Sequence, residues 1–425
     1  MTLQAVRGFK DWLPEDCARY HFLIELARNY LERANFKEIK IPILEKTELF
    51  LRSIGEVTDI VQKETYTFQD RSQEFLTLRP EATAGICRMI IEQGLYVRPK
   101  PLRFFFIGPM FRHERPQRGR LREFYQIDVE LLGQLTPYYE VELLDLALKI
   151  LRAPDPEKNS FTLEINSLGC RECRPEFREY LLSALQDKRE WLCETCRERL
   201  NRNPLRILDC KQEGCRRIVR ELKPLSEFWC VLCREHFTEL TELLSFVGIT
   251  FVVNPYLVRG LDYYVRTIFE IKGKGLGAQD AVCAGGRYDY LLKELGGPDL
   301  PATGFAIGLE RWALTLWGEK PPQALMEKLK PEVLFIPLGR EAKREGLKLV
   351  PRLREENFKV EAFFEDRSLK AMLREADKLG VKKVLILGED ELKEGVIILK
   401  DMEKGVQERI KREGLIQRLK EELRK

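Results

Sequence analysis

Residues 102–133 read LRFFFIGPMFRHERPQRGRLREFYQIDVELLG, two strand-like runs on either side of an arginine-rich loop. Pro116 and Gly119 interrupt regular structure between the two runs, so the stretch predicts a hairpin. The loop, residues 112–122, carries five arginines and one glutamate. Guanidinium groups bind phosphate oxygens in forked geometry and stay charged at neutral pH, so such a loop suits a nucleoside triphosphate and the end of an RNA. A solvated basic loop is the alternative interpretation.

Further strand-like runs flank this stretch on both sides and predict a larger sheet. They are joined by turns or hairpins rather than by regular helices, which favours an antiparallel arrangement. The runs are IKIPIL (39–44), TYTFQ (65–69), EFLTL (74–78), FVVNPYLV (251–258) and TIFEIKG (267–273). Residues 15–34 are predicted to form an amphipathic helix on this sheet, because apolar residues recur there at helical spacing. These residues are Phe22, Leu23, Leu26, Ala27, Tyr30 and Leu31.

Two other regions follow different patterns. A helix over residues 137–151 and a strand over residues 161–165 precede a cysteine-rich segment, after which the earlier pattern resumes, so residues 169–247 are predicted to be an insertion. From residue 331 strand-like runs alternate with helices, which is typical of a mostly parallel α/β module. The sequence thus predicts an α+β protein whose antiparallel sheet, flanked by helices, occupies residues 1–325 around the insertion, followed by an α/β domain over residues 331–425.

The bulk composition limits the class of protein. Basic residues number 72 and acidic residues 68, giving a formal charge of only +4, so contact with a nucleic acid must come from local patches. The N-terminus lacks the apolar core of a signal peptide, and no run approaches the roughly 18 apolar residues that span a bilayer. These features predict a cytoplasmic protein without a membrane partner.

Eight of the eleven cysteines fall within the insertion, in four pairs. Three pairs have CxxC spacing, and two such pairs make a tetrahedral zinc site, so eight thiols have the capacity for two structural Zn²⁺ ions. Reduced buried thiols or disulfides are the alternatives, and the sequence does not say which pairs combine. The predicted ligands are Cys170, Cys173, Cys193, Cys196, Cys210, Cys215, Cys230 and Cys233, with His236 three residues after the last.

The arginine-rich hairpin resembles a known motif. FIGPMFRHERPQRGR (106–120) followed by EFYQIDVELLG (123–133) is similar to motif 2 of class II aminoacyl-tRNA synthetases, in the form carried by histidyl-tRNA synthetases. The resemblance implies that Arg112 grips the α-phosphate of ATP, where negative charge builds during attack by a carboxylate. It also implies that the loop tip around Gln117 and Arg118 meets the acceptor end of the tRNA, and that Gln126 contacts histidine.

Two upstream segments resemble the same family. TLRPEATAG (77–85) is similar to the segment that holds the amino acid, which implies that Glu81 and Thr83 face its α-amino group; a carboxylate is a natural partner for ammonium. Read alone, Glu81 is equally a surface or helix-capping acid. FKEIKIPILEKTELFLRSIGE (36–56) resembles motif 1, the helix and strand carrying Pro42 that form the dimer interface in this class, so a homodimer is expected.

The segment LVRGLDYYVRTIFE (257–270) resembles one found only in the histidyl-tRNA synthetases among class II enzymes. The resemblance implies that Arg259 supplies a second cation at the α-phosphate, opposite Arg112. Histidine needs a site that donates to one ring nitrogen and accepts from the other, which suits the hydroxyls of Tyr263 and Tyr264 together with the Glu130 carboxylate. Two adjacent aromatic core residues are the alternative interpretation of this tyrosine pair.

Two downstream segments complete the resemblance. AGGRYDYLLKELGG (284–297) offers Gly285 and Gly286 for close approach of the backbone to a ligand, with Tyr288 beside them as a further histidine contact. ATGFAIGLERWAL (302–314) resembles motif 3, which implies that Arg311, at a helix start, reaches the γ-phosphate of ATP.

Taken together, the resemblance implies an enzyme that joins L-histidine to tRNA(His) through histidyl-adenylate, with ATP and Mg²⁺ as the substrate complex. The C-terminal module is similar to the anticodon-binding domain of this class. The main alternative is a non-catalytic regulatory subunit of ATP phosphoribosyltransferase; such subunits generally lack the C-terminal module and have lost these arginines. A zinc-dependent nucleic-acid-binding module without chemistry accounts only for residues 170–236.

Overall fold

The computed structural model describes residues 3–55, 58, 60–155, 157, 159–277 and 280–424. Glu56, the last residue of the segment that resembles motif 1, lies outside them. The chain forms two compact units, one of Met1–Leu13 and Arg19–Lys320 and the other of Pro14–Ala18 and Pro321–Lys425. Every helix among the described residues is too short or too polar to pass through a lipid bilayer.

The described residues contain the following α-helices. They are α1 (Pro14–Arg33), α2 (Thr47–Ile54), α3 (Thr83–Glu92), α4 (Pro137–Arg152), α5 (Cys173–Gln186), α6 (Glu194–Arg202), α7 (Glu213–Arg220), α8 (Val231–Phe246), α9 (Leu291–Glu294), α10 (Leu309–Trp317), α11 (Gln323–Glu327), α12 (Arg340–Glu355), α13 (Leu369–Leu379), α14 (Glu389–Glu394) and α15 (Leu415–Leu423). A π-helical turn spans Ile60–Glu64, and short 3₁₀ turns span Leu95–Val97, Arg189–Trp191, Pro204–Ile207, Leu225–Phe228 and Arg412–Gly414.

The strands of the described residues form three sheets. They are β1 (Lys37–Ile39), β2 (Leu44–Lys46), β3 (Tyr66–Gln69), β4 (Phe75–Leu78), β5 (Leu102–Phe111), β6 (Glu123–Leu132), β7 (Phe161–Ser167), β8 (Phe251–Val253), β9 (Val265–Gly273), β10 (Ala281–Arg287), β11 (Ala302–Gly308), β12 (Val333–Pro337), β13 (Val360–Ala362), β14 (Lys383–Leu387), β15 (Val396–Asp401) and β16 (Gln407–Lys411).

The largest sheet has eight strands in the order β1-β5-β6-β11-β10-β9-β7-β8. All pairs inside it are antiparallel, whereas the two edge pairs, β1 with β5 and β7 with β8, are parallel. The predicted hairpin is confirmed, since β5 and β6 pair along ten residues from Leu102 opposite Leu132 to Phe111 opposite Glu123. The antiparallel prediction therefore holds for the centre of the sheet.

Part of the N-terminal region differs from the prediction. The strands β2, β3 and β4 do not join the large sheet but form a three-stranded sheet of their own. The helices α2 and α3 separate strands that were expected to be joined only by turns or hairpins. In α2 the buried residues are Phe50, Ser53 and Ile54, and their spacing of three and four residues fits a helix. The helix was not predicted because the strand-like runs on either side of it dominate the local composition.

Two faces of the large sheet carry separate apolar cores. The predicted helix α1 lies on one face, where Tyr20, Leu23, Ala27 and Leu31 are buried against β5 and β6. Phe22, predicted to share the buried face, is 37% exposed. The helices α4, α8 and α10 cover the same face. The opposite face carries α3, the tyrosines of the 257–264 loop and much of the insertion, so this is the face on which a site is available.

The insertion is helical. It leaves β7 at Ser167, contains α5, α6, α7 and α8 with short 3₁₀ turns between them, and returns to β8 at Phe251. Its cysteines are all free of disulfide bonds.

The C-terminal unit has a five-stranded sheet in the order β13-β12-β14-β15-β16. β12 is parallel to both β13 and β14, while β15 and β16 are antiparallel to their neighbours, so the sheet is mixed rather than mostly parallel. β16 was not predicted, because four of its five residues are exposed and polar and it lacks an apolar run.

Candidate active site

One cavity of about 740 Å³ opens on the face of the large sheet that carries α3. Residues from five of the motif segments line it, although they extend along the sequence from Glu81 to Arg311. The predicted site residues in its lining are Glu81, Thr83, Arg112, Gln126, Glu130, Arg259, Tyr263, Tyr264, Tyr288 and Arg311. Gln117 and Arg118 are not part of the lining; they stand at the exposed tip of the β5–β6 loop.

The strand β6 supplies the floor of the cavity. Its alternate residues Gln126, Asp128 and Glu130 line the cavity, while Ile127 and Val129 point into the core on the other face. This follows from the period of two along a strand. Among the described residues, the buried Oε1 of Gln126 has no hydrogen-bond partner. A buried amide oxygen without a partner is a position where a ligand is expected to donate.

Hydroxyl groups surround the carboxylates of the cavity. The Thr83 hydroxyl donates to Oε1 of Glu130 at 2.7 Å, and the Tyr288 hydroxyl donates to its Oε2. The Tyr263 hydroxyl donates to Oε2 of Glu81 at 3.4 Å. The rings of Tyr263 and Tyr264 lie 4.7 Å apart between centroids, so the tyrosine pair is both a packed aromatic unit and part of the polar lining.

Glu81 also caps the helix α3. Its two carboxylate oxygens accept hydrogen bonds from the backbone N–H groups of Thr83, at 2.8 Å, and Ala84, at 2.9 Å. A carboxylate at a helix N-terminus is stabilised by the free N–H groups there. The capping interpretation of Glu81 is therefore correct, and the same contacts hold its carboxylate in place at the cavity wall.

Burial changes the protonation of these carboxylates. It raises the pKa of Glu81. It also raises the pKa of Asp128 and of Glu130 well above their ordinary values, and neighbouring carboxylates raise the pKa of these two groups further. Hydrogen bonds from Tyr288 and Thr83 oppose the shift at Glu130. Several acids crowded in one buried site favour the entry of a cationic ligand, because its charge relieves their repulsion.

Three predicted arginines lie around the same cavity. The Nε of Arg112 donates to the Pro80 carbonyl at 2.9 Å, and its guanidinium lies 5.3 Å from the centroid of the Phe124 ring. The Nε of Arg311, in the first turn of α10, donates to the Gly119 carbonyl at 2.9 Å. Burial and the guanidinium of Arg120 lower the pKa of Arg311 to about 10, so it remains protonated at neutral pH.

Arg259 is held by a partner that the sequence analysis missed. Its Nη1 lies 2.5 Å from Oε1 of Glu270 on β9, which also lines the cavity. Burial lowers the pKa of Arg259, but Glu270 outweighs this effect and raises it. The buried Nε of Arg259 has no hydrogen-bond partner in the described part of the chain, so one donor remains for a ligand. Glu270 is the last residue of the quoted 257–270 segment. An acidic residue within a predicted strand was the signal in the sequence that could have identified it.

A second ion pair missed by the sequence analysis lies at the base of the arginine-rich loop. Arg120 Nη1 lies 2.7 Å from Oε2 of Glu114, and both residues line the cavity. The turn beyond them is tight, with mutual backbone hydrogen bonds between Gln117 and Arg120 of 3.0 and 2.8 Å and a φ of +70° at Gly119. At the tip, Arg118 pairs with Glu319 at 3.1 Å and is 58% exposed.

The glycines of the 284–297 segment have a different role from the one expected. A Cβ on Gly285 would lie 2.1 Å from the Gly304 carbonyl, and one on Gly286 would lie 2.4 Å from the Thr267 carbonyl. These glycines therefore permit close approach of neighbouring strands, not of a ligand. Gly304 is the one that meets the site, since its Cβ would lie 1.9 Å from Oε2 of Glu130.

Two polar residues near the motifs turn away from the cavity. Arg287 lies 2.7 Å from Oε1 of Glu140 on α4, and the Nε2 of His236 on α8 lies 2.8 Å from the same oxygen. All three side chains are buried. His236, which follows the last cysteine in sequence, thus belongs to a buried ion-pair network that joins the insertion to α4.

The eight clustered cysteines form two groups of four. One group is Cys170, Cys173, Cys230 and Cys233, and the other is Cys193, Cys196, Cys210 and Cys215. In each group all four Sγ atoms lie within 4.8 Å of one another. This is the donor set of a tetrahedral metal site.

Comparison with known proteins identifies the family. The family model described as histidyl-tRNA synthetase matches residues 8–312, and the model described as anticodon binding domain matches residues 332–422. The chain belongs to the histidyl-tRNA synthetase family. The first match includes every motif that lines the cavity, and the second covers the C-terminal sheet.

Relatives within the family match along nearly the whole chain. A histidine–tRNA ligase of Natranaerobius thermophilus is 43% identical over 99% of both chains, and one of Aquifex aeolicus is 45% identical over 97% of this chain and 99% of its own. Among solved structures, the apo histidyl-tRNA synthetase of S. aureus is 30% identical, with a TM-score of 0.81 over 99% of this chain and all of its own. These relatives therefore match both the region that contains the motifs and the C-terminal region.

Proposed function

We propose that the protein ligates L-histidine to tRNA(His) in two steps. The histidine carboxylate attacks the α-phosphorus of ATP, the bond to the bridging oxygen breaks, and diphosphate leaves; a hydroxyl of the tRNA 3′ end then takes the histidyl group and AMP leaves. The observation that carries the proposal is the meeting, in one cavity, of an acid-and-hydroxyl lining with three arginines. The family membership and the full-length relatives support the same reaction.

The acidic half of the cavity is proposed to bind histidine. The α-ammonium group would pair with Glu81, which α3 holds in place, and with Thr83. The imidazole would donate to Glu130 and accept from the hydroxyl of Tyr264. Tyr263 and Tyr288, whose hydroxyls donate to Glu81 and Glu130, would line the ring, and Gln126 would accept a further hydrogen bond from histidine. An apolar side chain would leave these buried polar groups unpaired, which is a strong basis for rejection.

The arginines are proposed to bind the phosphates. Arg112 and Arg259, which come from separate segments of the chain, would clamp the α-phosphate from two sides while charge builds on it, and Arg311 would contact the γ-phosphate. A general base is not required for the first step, because the attacking carboxylate is already ionised at neutral pH. Catalysis then consists of positioning and charge neutralisation. Mg²⁺ would enter with ATP as part of the substrate complex.

The tRNA is proposed to bind both units. Its acceptor end would meet Gln117 and Arg118, which the β5–β6 turn presents to solvent. The anticodon would bind the C-terminal unit, whose residues 332–422 match the anticodon binding domain. We accordingly assign residues 1–325 to the catalytic domain, interrupted by the insertion over 169–247, and residues 331–425 to the anticodon-binding domain.

The assembly and the location are proposed from what is expected of this class. We propose a homodimer formed through the motif 1 segment around Pro42. A cytoplasmic location fits the site of tRNA charging, and it fits the free state of the clustered cysteines, because disulfides are rare in a reducing compartment. Structural Zn²⁺ in the insertion is the remaining cofactor that the residues can hold.

The alternative is a regulatory subunit without chemistry. One solved structure similar in fold, described as an ATP phosphoribosyltransferase regulatory subunit/histidyl-tRNA synthetase from Bacillus halodurans, is 22% identical with a TM-score of 0.64. The three arginines in the cavity and the C-terminal unit favour the ligase. Charging of a tRNA(His) transcript with labelled histidine is the test: ester-linked histidine supports the proposal, and histidine binding without charging would exclude it.

A further inference from the structure

The two groups of cysteines are nested along the chain. We call Cys170, Cys173, Cys230 and Cys233 the outer tetrad and Cys193, Cys196, Cys210 and Cys215 the inner tetrad. The outer tetrad joins the two ends of the insertion, at the start of α5 and the start of α8. The inner tetrad closes a loop inside it. This nesting resolves the pairing that the sequence left open.

The sulfur positions fit the ligands of a zinc ion and are too far apart for bonded disulfides. The Sγ atoms of Cys170 and Cys173 lie 3.5 Å apart, those of Cys173 and Cys233 lie 3.8 Å apart, and those of Cys193 and Cys210 lie 3.9 Å apart. With Zn–S bonds of about 2.3 Å, a regular tetrahedron has S–S edges of about 3.8 Å. A disulfide bond is about 2.05 Å long. The spacing is therefore that of four ligands around one ion.

Backbone amides support the sulfurs in both tetrads. The N–H of Cys230 donates to Sγ of Cys173 at 3.1 Å, and the N–H of Cys193 donates to Sγ of Cys215 at 3.2 Å. Such hydrogen bonds stabilise thiolate ligands and fix their orientation. Both tetrads thus have the backbone hydrogen bonds to sulfur that support the thiolate ligands of a structural zinc site.

The inner tetrad lies at the wall of the active-site cavity. Cys193 and Cys210 themselves line the cavity, as do three arginines of the segment between them, Arg199, Arg202 and Arg206. The helix α6, which carries the first two arginines, has nine residues and buries only Cys196 and Leu200. A helix of this length is only marginally stable without tertiary support. A metal ion that cross-links its first turn to the rest of the inner tetrad would stabilise it.

This wall is tied to the segment that carries the histidine-specific motif. The Nδ2 of Asn203 donates to Oδ1 of Asp262 at 2.9 Å. The guanidinium of Arg206 lies 3.8 Å from the position of a Cβ on Gly260. Asp262 and Gly260 stand between Arg259 and the tyrosine pair, so a shift of the wall is transmitted to residues of the proposed site.

We propose that both tetrads bind structural Zn²⁺ and that the inner zinc positions the arginine-bearing wall of the active site, whereas the outer zinc joins the ends of the insertion. The role assigned to the inner zinc rests on the proposed function. Loss of the inner zinc is expected to lower kcat/KM for histidine-dependent pyrophosphate exchange by roughly tenfold or more, the size of effect that loss of a metal site's supporting groups produces. Loss of the outer zinc is expected to lower thermal stability first.

The first measurement is the zinc content of the purified full-length protein by mass spectrometry of the metal. Two ions per chain are expected, falling to one in Cys193→Ser/Cys210→Ser and to one in Cys170→Ser/Cys233→Ser. Cys17→Ser is the matched control and should retain two, because this half-exposed cysteine stands apart from both tetrads. Replacement by Co²⁺ should give the visible bands of a tetrahedral tetrathiolate. A protein without zinc whose eight thiols react freely would overturn both metal sites.

The second measurement separates the wall from the metal. Asn203→Ala leaves both tetrads intact and removes only the bond to Asp262, so it should keep two zinc ions while lowering kcat/KM for exchange. If the inner-tetrad variant loses one zinc, remains folded and exchanges at the wild-type rate, the role of the inner zinc is wrong. If the wild-type protein holds two zinc ions but shows no exchange with histidine, the proposed function fails and the metal sites stand.

Discussion

The Thr83 hydroxyl donates a 2.7 Å hydrogen bond to Oε1 of Glu130, although the two residues lie 47 positions apart in the chain. This contact joins the first turn of α3 to the C-terminal end of β6. The Tyr288 hydroxyl donates to the other oxygen, so both sides of the carboxylate are fixed before a ligand enters. A site prepared in this way loses little entropy when the ligand binds.

Replacement of this acid by its amide tests the histidine site. Glu130→Gln should raise the KM for histidine about 5- to 100-fold, because an amide N–H would face the ligand in place of an acceptor and a buried polar group left without a partner costs roughly 1–3 kcal/mol. Steady-state pyrophosphate exchange over a range of histidine concentrations measures the change. Glu142→Gln, at a half-exposed carboxylate on α4, is the control and should leave the KM unchanged.

The same variant should not unfold the protein. Burial raises the pKa of Glu130 well above that of the unfolded chain, so its stabilising contribution is present at low pH and is lost as the pH rises through the folded-state pKa. At neutral pH the amide should therefore be at least as stable as the acid in urea. A large drop in stability together with an unchanged KM would assign Glu130 to the fold rather than to histidine.

Removal of the second arginine of the phosphate clamp tests the chemistry. Arg259→Ala should lower kcat for adenylate formation by about 10²–10³-fold, because one fixed donor to the developing charge is lost, while the KM for histidine changes little. Rapid-quench measurement of a single turnover gives the rate. Arg217→Ala, at a 76% exposed arginine of the insertion, should be silent. Equal losses in rate and in histidine affinity would contradict the role assigned to Arg259.

A single added methyl group on β11 should disturb the site. The Cβ of Gly304→Ala would lie 1.9 Å from Oε2 of Glu130 and 2.5 Å from the Val129 carbonyl, and backbone on that side prevents an easy adjustment. We expect Glu130 to be displaced, the KM for histidine to rise and stability to fall by about 1–3 kcal/mol, the usual range for overpacking. Gly414→Ala, in open space, is the control. Unchanged kinetics would show that Glu130 does not need its present position.

The buried ion pair on the other face predicts a pH dependence of stability. Burial alone would raise the pKa of Glu140, but Arg287 and His236 outweigh it and lower the pKa to about 2, against 4.5 for the free group. The stabilising contribution is therefore complete above pH 4.5 and is lost as the pH falls towards 2. Glu140→Gln should cost about 3 kcal/mol at pH 7, and urea unfolding should show the difference from wild type shrinking below pH 4.5. A difference that does not change with pH would refute the assignment.

The sequence predicted the parts of the fold and site that depend on local period and on motif. The alternation of Gln126, Ile127, Asp128, Val129 and Glu130 indicates a strand with one polar face, and the structure places that face in the cavity. The boundaries of α1 and α4 follow from helical spacing. The family resemblance supplied the residue roles, which stay predictions until they are measured.

Other features depend on contacts between distant segments, and the sequence alone does not contain them in readable form. The pairing of Cys193 with Cys210, and of Cys173 with Cys233, is decided by how the insertion folds. Glu270 contacts Arg259 because β9 lies next to the loop that carries Arg259. Pairs of this kind have no characteristic separation in the sequence, so only the structure identifies them.

Arg112, Arg259 and the acidic pocket are proposed to activate histidine together. ATP–pyrophosphate exchange by the purified protein, with each of the standard amino acids in turn, probes this joint action without the need for tRNA. We expect exchange that depends on histidine alone and that Arg112→Ala and Arg259→Ala each nearly abolish. Exchange with a different amino acid, or no exchange with any of them by a folded protein that binds ATP, would contradict the proposal.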